Sequence, residues 1–218
     1  MNKIKVFFFA FVLVSILDII GIIFKIPSLI FIFKPLILPF LLVLYVKSVS
    51  KRNRIYIMAL IFSFFGDVFL LFSGELYFII GLVSFLITHF LFIKIVVGEI
   101  QKTPIVRIIL SAILFFMVFS LLIFFLKNSL GELLIPVIIY GLVISTFGAV
   151  SLIDYLNKNS KKSLLMLIGA SVFIVSDAVL AINKFYESAH LFEIIVMITY
   201  VLAQYLIYRS MILDKKNA

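Results

Sequence analysis

The stretch Ile61-Phe62-Ser63-Phe64-Phe65-Gly66-Asp67-Val68-Phe69-Leu70-Leu71 is apolar on both sides of a single acidic residue. A second stretch, VFIVSDAVLA at residues 172–181, repeats the frame of an apolar run, a small residue, Asp177 and a further apolar run. A carboxylate inside a hydrocarbon-length helix costs about 2.5–3.5 kcal/mol on insertion scales. The two stretches therefore predict membrane-spanning helices that retain an acid, and function is the leading reason for retaining it.

The composition excludes a water-soluble fold. The 218 residues are 65% hydrophobic and 13% charged, whereas soluble domains are about 45–50% apolar and about 25% charged. The chain contains no cysteine, which excludes disulfides, thiolate catalysis and Cys-bound metals. In a membrane protein the net charge of +9 indicates charged cytoplasmic loops and contact with anionic lipid, so nucleic acid is not an expected partner.

Short polar separators divide the chain into segments of about 20 apolar residues, the length that crosses a bilayer. We predict an all-α polytopic membrane protein whose eight helices form one bundle, with residues 1–218 as a single transmembrane domain. The first segment lacks a signal-peptide cleavage site and is expected to remain as a span. The predicted spans are about 4–24, 28–46, 54–73, 77–97, 105–126, 132–153, 162–183 and 190–211.

The lysines and arginines alternate between the two sides of this eight-span arrangement. Fifteen fall on the side of the two termini, three fall on the opposite side, and Lys34 lies within a span. The positive-inside rule then places both termini in the cytoplasm, and the expected location is a bacterial inner membrane. Asp67 and Asp177 lie on spans that run in the same direction, which predicts two four-helix halves related as a parallel repeat.

Five ionisable residues share one predicted depth. Counted from the cytoplasmic boundary at about 1.5 Å per residue, they lie roughly 20–24 Å into a core of about 30 Å. They are Asp18, Lys34, Asp67, Asp177 and Glu193. We interpret this layer as a polar pocket in the outer half of the bilayer.

Other polar residues lie nearer the middle of the membrane. His89 is on the fourth span, and Glu193, Met197, Tyr200 and Gln204 form one stripe on the eighth. Structural roles stay open for several of these residues. Lys34 would then pair with an Asp to lock helices, Asp18 and Glu193 would reach interfacial water, and His89, Tyr200 and Gln204 would serve packing and interhelical hydrogen bonds.

Small residues at helical spacing indicate close helix packing. Gly141, Ser145 and Ala149 form one stripe on the sixth span, and Gly169-Ala170 lies near the start of the seventh. Stripes of this kind let helix backbones approach each other closely in a membrane.

Taken together, the motifs resemble the YhhN-like, or lysoplasmalogenase, family of integral membrane proteins. The matching elements occur in the family's order along nearly the whole chain. They are Lys34-Pro35-Leu36, Phe65-Gly66-Asp67, Gly81 with Phe85 and His89, Gly169-Ala170 with Phe173 and Ser176-Asp177, and Tyr200 with Gln204. The resemblance implies an eight-helix membrane enzyme that hydrolyses the vinyl-ether bond of lysoplasmalogens to a fatty aldehyde and a glycerophospho-alcohol, with no cofactor and no metal.

The residues suit that chemistry, since a vinyl ether is cleaved through an oxocarbenium ion that needs a proton donor and a carboxylate. We predict Asp67 and Asp177 as the catalytic pair, with their order open, and a lysophospholipid as the partner. Lys34, His89, Glu193, Tyr200, Gln204 and Asp18 are the predicted substrate-binding residues. Two alternatives remain: a proton-coupled lipid or small-molecule transporter that uses the acids as a relay, and a metal-dependent lipid amidase.

Overall fold

A computed structural model of the protein describes residues 3–100 and 102–213. Within these ranges the chain forms eight α-helices, one short 3₁₀ turn and no strand. The helices are α1 (Lys3–Ile23), α2 (Pro27–Ser48), α3 (Arg54–Phe69), α4 (Glu75–Val97), α5 (Ile105–Leu126), α6 (Leu134–Lys158), α7 (Lys161–Phe185) and α8 (His190–Ile212). Residues 1–2 and 214–218, which hold the predicted cytoplasmic ends of the chain, lie outside the described ranges.

The helices follow the predicted spans closely, and α5 has the predicted bounds. Seven of the eight described helices are long and apolar enough to cross a membrane. The exception is α3, whose 16 residues extend about 24 Å. The all-α, membrane-spanning class is therefore confirmed, while the eighth span and the repeat of two four-helix halves stay predictions.

The third helix is shorter than the predicted span of about 54–73, whose membrane boundary stays a prediction. Helix α3 ends at Phe69, because Leu71 and Phe72 donate to carbonyl oxygens three residues back instead of four. Such tightened bonds are a common way for a helix to end. Gly74 follows with a φ of +121°, a conformation that residues with a Cβ rarely adopt.

The chain divides into two compact units. Residues 3–91 and 211–213 belong to the first unit, and residues 92–210 belong to the second, apart from the undescribed residue 101. Helix α4 contributes to both, since residue 91 lies within it. The prediction of a single domain over residues 1–218 stays a prediction.

In the first unit, α1 and α2 form a tight helical hairpin. Lys25 adopts a left-handed φ of 53°, and the backbone N–H of Ile26 donates to the Gly21 carbonyl at 2.8 Å. This is the bonding pattern of a Schellman motif, in which glycine is the usual left-handed residue. Gly21 also allows close approach, because a Cβ there would lie 2.8 Å from the Leu29 Cβ. The hairpin brings the C-terminal part of α1 against the N-terminal part of α2.

The start of α3 is set by a polar side chain. The Asn53 Oδ1 accepts from the backbone N–H groups of Ile55 and Tyr56 at 2.9 and 3.2 Å. The Asn53 backbone N–H in turn donates to the Tyr45 hydroxyl at 2.9 Å. N-caps of this kind satisfy donors that the first helical turn leaves unpaired. The backbone N–H groups of Ile55 and Tyr56 therefore find their acceptor within the α2–α3 connection.

In the second unit, small residues bring helices together as predicted. A Cβ on Gly141 would lie 2.2 Å from the Phe119 ring, so α5 packs directly on the backbone of α6. A Cβ on Gly169 would lie 2.8 Å from Ile207, which places α8 against α7. The Ser176 hydroxyl joins the same two helices by donating to the Val196 carbonyl at 3.0 Å.

Charged side chains tie two connections of the second unit together. Glu99, which follows α4, forms ion pairs with Lys158 at the end of α6 (3.2 Å) and with Lys162 at the start of α7. Asn157 also donates to Thr103 at 2.5 Å. The α4–α5 and α6–α7 connections thus lie at one end of the unit, as an alternating path requires. Which side of the membrane this end faces stays a prediction.

Replacing Gly169 by Ala is expected to destabilise the protein by about 1–3 kcal/mol, the usual cost of overpacking. The new Cβ would meet backbone atoms of α8, since the Ile207 nitrogen and the Ala203 oxygen lie only 3.2 and 3.3 Å from its position. Thermal unfolding in detergent, followed by circular dichroism, measures the effect. Gly98→Ala is the control, because the nearest atoms to its Cβ belong to its own helical turn. Equal midpoints for the two variants would contradict the close α7–α8 contact.

Candidate functional site

Asp67 lies in the last turn of α3 and is 2% exposed. The residue before it is Gly66, where a Cβ would lie 2.5 Å from the Phe85 ring of α4. The Ser63 hydroxyl, one turn earlier, donates to the Thr88 hydroxyl at 3.2 Å. Close packing and a buried hydrogen bond therefore hold the end of α3 that carries Asp67 against α4.

His89 is fully buried in the same unit. Its Nδ1 lies 2.7 Å from the Phe85 carbonyl oxygen, and because a carbonyl only accepts, Nδ1 must carry the proton. In a neutral ring Nε2 is then the acceptor. His89 therefore presents a basic nitrogen inside the apolar part of α4, close in sequence to the Phe85 ring that covers Gly66.

Asp18 and Lys34 lie near each other in the α1–α2 hairpin. Asp18 is 0% exposed, and neither of its carboxylate oxygens has a hydrogen-bond partner in the part of the chain that the structure describes. Lys34 is only half-buried, and its charge acts on Asp18. Lys34 therefore acts electrostatically on Asp18, while its pairing with an intramembrane Asp stays a prediction. The alternative in which Asp18 reaches interfacial water is wrong for this structure.

Asp177 in the second unit has a phenol as its partner. The Tyr140 hydroxyl of α6 donates to Asp177 Oδ2 across the α6–α7 contact. Tyr140 is buried, whereas Asp177 is partly exposed. The sequence did not identify Tyr140, although Tyr140 and Asp177 lie at similar depths along their helices. Tyr140 lies about 9 Å from the start of α6 and Asp177 about 12 Å from the end of α7, and α6 and α7 are antiparallel neighbours.

A groove of about 280 Å³ surrounds this pair. Three helices form it, and apart from Tyr140, Ser145 and Asp177 its lining is apolar. The lining residues are Val118, Phe119, Leu122, Ile123 and Phe125 of α5, Val137, Tyr140, Gly141, Ile144 and Ser145 of α6, and Ile174, Asp177, Ala178 and Ala181 of α7. The volume is close to the lower end of the roughly 300–1,000 Å³ that is typical of small-molecule sites.

The groove exists because small side chains occur where the helices meet. Ala178 and Ala181 of α7 leave room that larger side chains would fill. Val118 and Phe125 line the groove and remain 47% and 49% exposed, so the groove is accessible from the apolar exterior of the unit. A hydrocarbon chain that enters from the bilayer would therefore reach the Asp177 carboxyl group.

The predicted stripe on α8 is largely confirmed. Met197, Tyr200 and Gln204 are buried, and the Gln204 amide lies 3.5 Å from the Tyr200 hydroxyl. The Tyr200 ring also packs edge-to-face on Phe173 of α7. Glu193 differs, because it lies in the first turn of α8 with an exposed side chain, 3.7 Å from the His190 ring nitrogen.

The predicted site residues are divided between the two compact units. The structure places Asp18 near Lys34 in the first unit. It places Tyr200 beside Gln204 in the second unit. The pairing of Asp67 with Asp177 and the single shared pocket stay predictions. The first unit holds Asp18, Lys34, Asp67 and His89, and the second holds Asp177, Glu193, Tyr200 and Gln204. Among the residues that the structure describes, no three His, Cys, Asp or Glu side chains form a group that could hold a metal ion.

A comparison with protein-family models supports the resemblance seen in the motifs. The model of the YhhN family matches residues 29–211, which is most of the chain and includes Lys34, both candidate catalytic acids, His89, Tyr200 and Gln204. No curated protein and no solved structure matches the chain. The family assignment therefore rests on the family model and on the motifs.

The electrostatic interaction of Asp18 with Lys34 predicts that their contributions to stability are coupled. Lys34→Met is expected to destabilise the wild-type protein more than it destabilises Asp18→Asn, because the methionine leaves a buried carboxylate without its compensating charge. A coupling of about 0.5 kcal/mol, the lower end of the range for interacting residues, is expected for two charges that act on each other without a direct hydrogen bond. Unfolding of all four proteins in mixed micelles measures it. Equal costs of Lys34→Met in both backgrounds would show that the two charges do not interact.

Proposed function

Because the chain belongs to the YhhN family, we propose that it is a membrane hydrolase that cleaves the vinyl-ether bond of lysoplasmalogens. The products are a fatty aldehyde and a glycerophospho-alcohol. The observation that carries this proposal is the position of Asp177, whose carboxyl group lies in an apolar groove of about 280 Å³ that is accessible from the lipid-facing side of α5. A lipid chain and an ionisable acid meet there, as the reaction requires.

The apolar lining of the groove favours a single-chain lipid as the substrate. Its lining contains no charged residue besides Asp177, so it suits a hydrocarbon chain better than a polar metabolite. The vinyl-ether group lies at the junction between this chain and the glycerol backbone. A chain lying in the groove would bring the reactive double bond to the level of the carboxyl group.

The reaction needs two groups in opposite protonation states. A carboxylic acid donates its proton to the alkene carbon that is not bonded to oxygen. The alkene carbon that is bonded to the ether oxygen then becomes part of an oxocarbenium ion. A carboxylate stabilises this cation and accepts a proton from the attacking water, which forms a hemiacetal. Glycosidases use two carboxyl groups in the same way for a similar transition state. We propose Asp67 and Asp177 for these two roles.

The protons balance over the full cycle. The first group has lost its proton to carbon, and it regains one from the hemiacetal hydroxyl as the carbonyl forms. The second group has gained a proton from water, and it returns that proton to the leaving glycerol oxygen when the carbon–oxygen bond breaks. The net reaction is vinyl ether plus water to aldehyde plus alcohol, so no cofactor is required.

The remaining polar residues are proposed to bind the substrate. Lys34 is the candidate for the lipid phosphate or for keeping an acid ionised, and His89 is the candidate for orienting water through Nε2. Tyr200, Gln204, Glu193 and Asp18 are proposed to contact the glycerol and head-group part of the lysolipid.

Asp67→Asn and Asp177→Asn are each expected to lower hydrolysis at least about a hundredfold, the usual scale of general acid–base catalysis. The measurement is aldehyde release from a vinyl-ether lysolipid by purified protein in detergent. Asp154→Asn is the matched control, since Asp154 is also a buried acid. Its partner Lys158 keeps Glu99 as a counter-ion.

The substrate control is the saturated alkyl-ether lysolipid, which has no double bond to protonate and should release nothing. Folded Asn variants with near-normal rates would contradict the roles of the two acids. Proton-dependent lysolipid uptake by liposomes without aldehyde release would favour the transporter instead. Loss of activity on chelation would favour a metal-dependent reaction.

A further inference from the structure

We infer that Tyr140 is a positioning residue that keeps Asp177 ionised and oriented in the groove. If the proposed hydrolysis is correct, on which this assignment rests, Asp177 is then the base of the reaction and Asp67 is the acid. The motifs alone leave the order of the two acids open. The hydrogen bond across the α6–α7 contact favours the ionised form of Asp177 and therefore the role of base for this residue.

The geometry gives Asp177 one defined polar partner. Tyr140 donates its hydroxyl to Oδ2, and in the part of the chain that the structure describes this is the hydrogen bond that Asp177 accepts. The phenol is 9% exposed, so its hydroxyl is held within the α6–α7 contact. Because Oδ2 is engaged by the phenol, Oδ1 is the oxygen that remains for water.

The chemistry of the pair keeps the shared proton on the phenol. A phenol has an ordinary pKa of about 10 and an aspartic acid one of about 3.9, so Tyr140 remains a donor when Asp177 is ionised. A hydrogen bond to a charged acceptor is roughly twice as strong as one between neutral groups. The apolar lining by itself opposes a charge, and Tyr140 is the groove residue that offsets this effect.

Among the described residues that line the groove, no charged side chain could replace Tyr140 in keeping Asp177 ionised. The α5 residues that line it are all apolar, the α6 residues include Tyr140 and Ser145, and α7 contributes only Asp177 among titratable residues. Within the described lining of the groove, the hydrogen bond from Tyr140 is therefore the polar contact that opposes the effect of burial on Asp177. Removing the Tyr140 hydroxyl therefore tests what keeps Asp177 ionised.

The assignment completes the proton path of the proposed reaction. Asp67 donates its proton to the alkene carbon, and water adds to the resulting cation while its proton passes to Oδ1 of Asp177. Asp177 then gives this proton to the leaving glycerol oxygen, and Asp67 takes the hemiacetal proton as the aldehyde forms. Tyr140 retains its own proton throughout and acts on the reaction through its hydrogen bond to Asp177.

Tyr140→Phe tests the inference, because it removes one hydroxyl and retains the ring. Infrared difference spectra against Asp177→Asn isolate the carboxyl band of Asp177 at neutral pH. We expect a carboxylate band in the wild type. In Tyr140→Phe we expect a protonated-carboxyl band that disappears in the double variant with Asp177→Asn.

Kinetics provide the second readout. Loss of the hydrogen bond should lower kcat roughly tenfold or more, the scale of one hydrogen bond to a charged group, with KM nearly unchanged, since the groove keeps its shape. Tyr186→Phe is the control. Tyr186 lies just beyond α7, is exposed and packs on Phe125, but it does not line the groove.

The outcomes separate the inference from the proposed function. A protonated Asp177 in the wild type, or a carboxyl band that Tyr140→Phe leaves unchanged, would overturn the inference whatever the activity. The comparison of wild type with Asp177→Asn holds even if Tyr140→Phe does not fold. The expected spectra in a protein that releases no aldehyde would retain the role of Tyr140 and reject the hydrolysis.

Discussion

The structure depends on one constraint: a polar group inside an apolar helix bundle must find a partner within the protein. Hydroxyl groups meet this constraint locally, as when Ser15 donates to the Phe11 carbonyl one turn earlier. The carboxyl groups of Asp18 and Asp177 depend instead on a side chain of a neighbouring helix. Asp177 has Tyr140 of α6, and Asp18 has the charge of Lys34 on α2. The contacts between neighbouring helices therefore also set the chemical surroundings of the buried acids.

Small residues serve both packing and access. Gly141 lets Phe119 pack on the backbone of α6, and Gly169 lets α8 approach α7. Where alanines follow Asp177 on the face of α7, the same close approach leaves a groove instead of a filled core. A lipid chain needs such a space beside a reactive group, and a rigid helix pair keeps the group in position. The proposed hydrolysis thus uses features that also stabilise the fold.

The sequence predicted most of the fold, because hydrophobic length, charge alternation and small-residue stripes are local properties of a membrane helix. The all-α membrane class, the close packing at Gly141 and Gly169 and the shared end of two loops were all predictable. The end of α3 was not, because an apolar run continues past Phe69 and only the backbone hydrogen bonds reveal the turn. The sequence also left open whether Asp18 is buried or reaches interfacial water, since depth along a helix does not say which way a side chain points.

For the candidate site, the sequence by itself determined which acids are costly and therefore candidates for function. Asp67 and Asp177 stand out in any helical arrangement, because burying a carboxylate in an apolar helix is unfavourable whatever the neighbours are. Only the tertiary structure decided what each polar group meets. Tyr140 is 37 residues from Asp177, and no pattern along the chain links a phenol to a carboxylate at that separation. Hydrogen bonding depends on distances of a few ångströms, which only the packing of α6 on α7 sets.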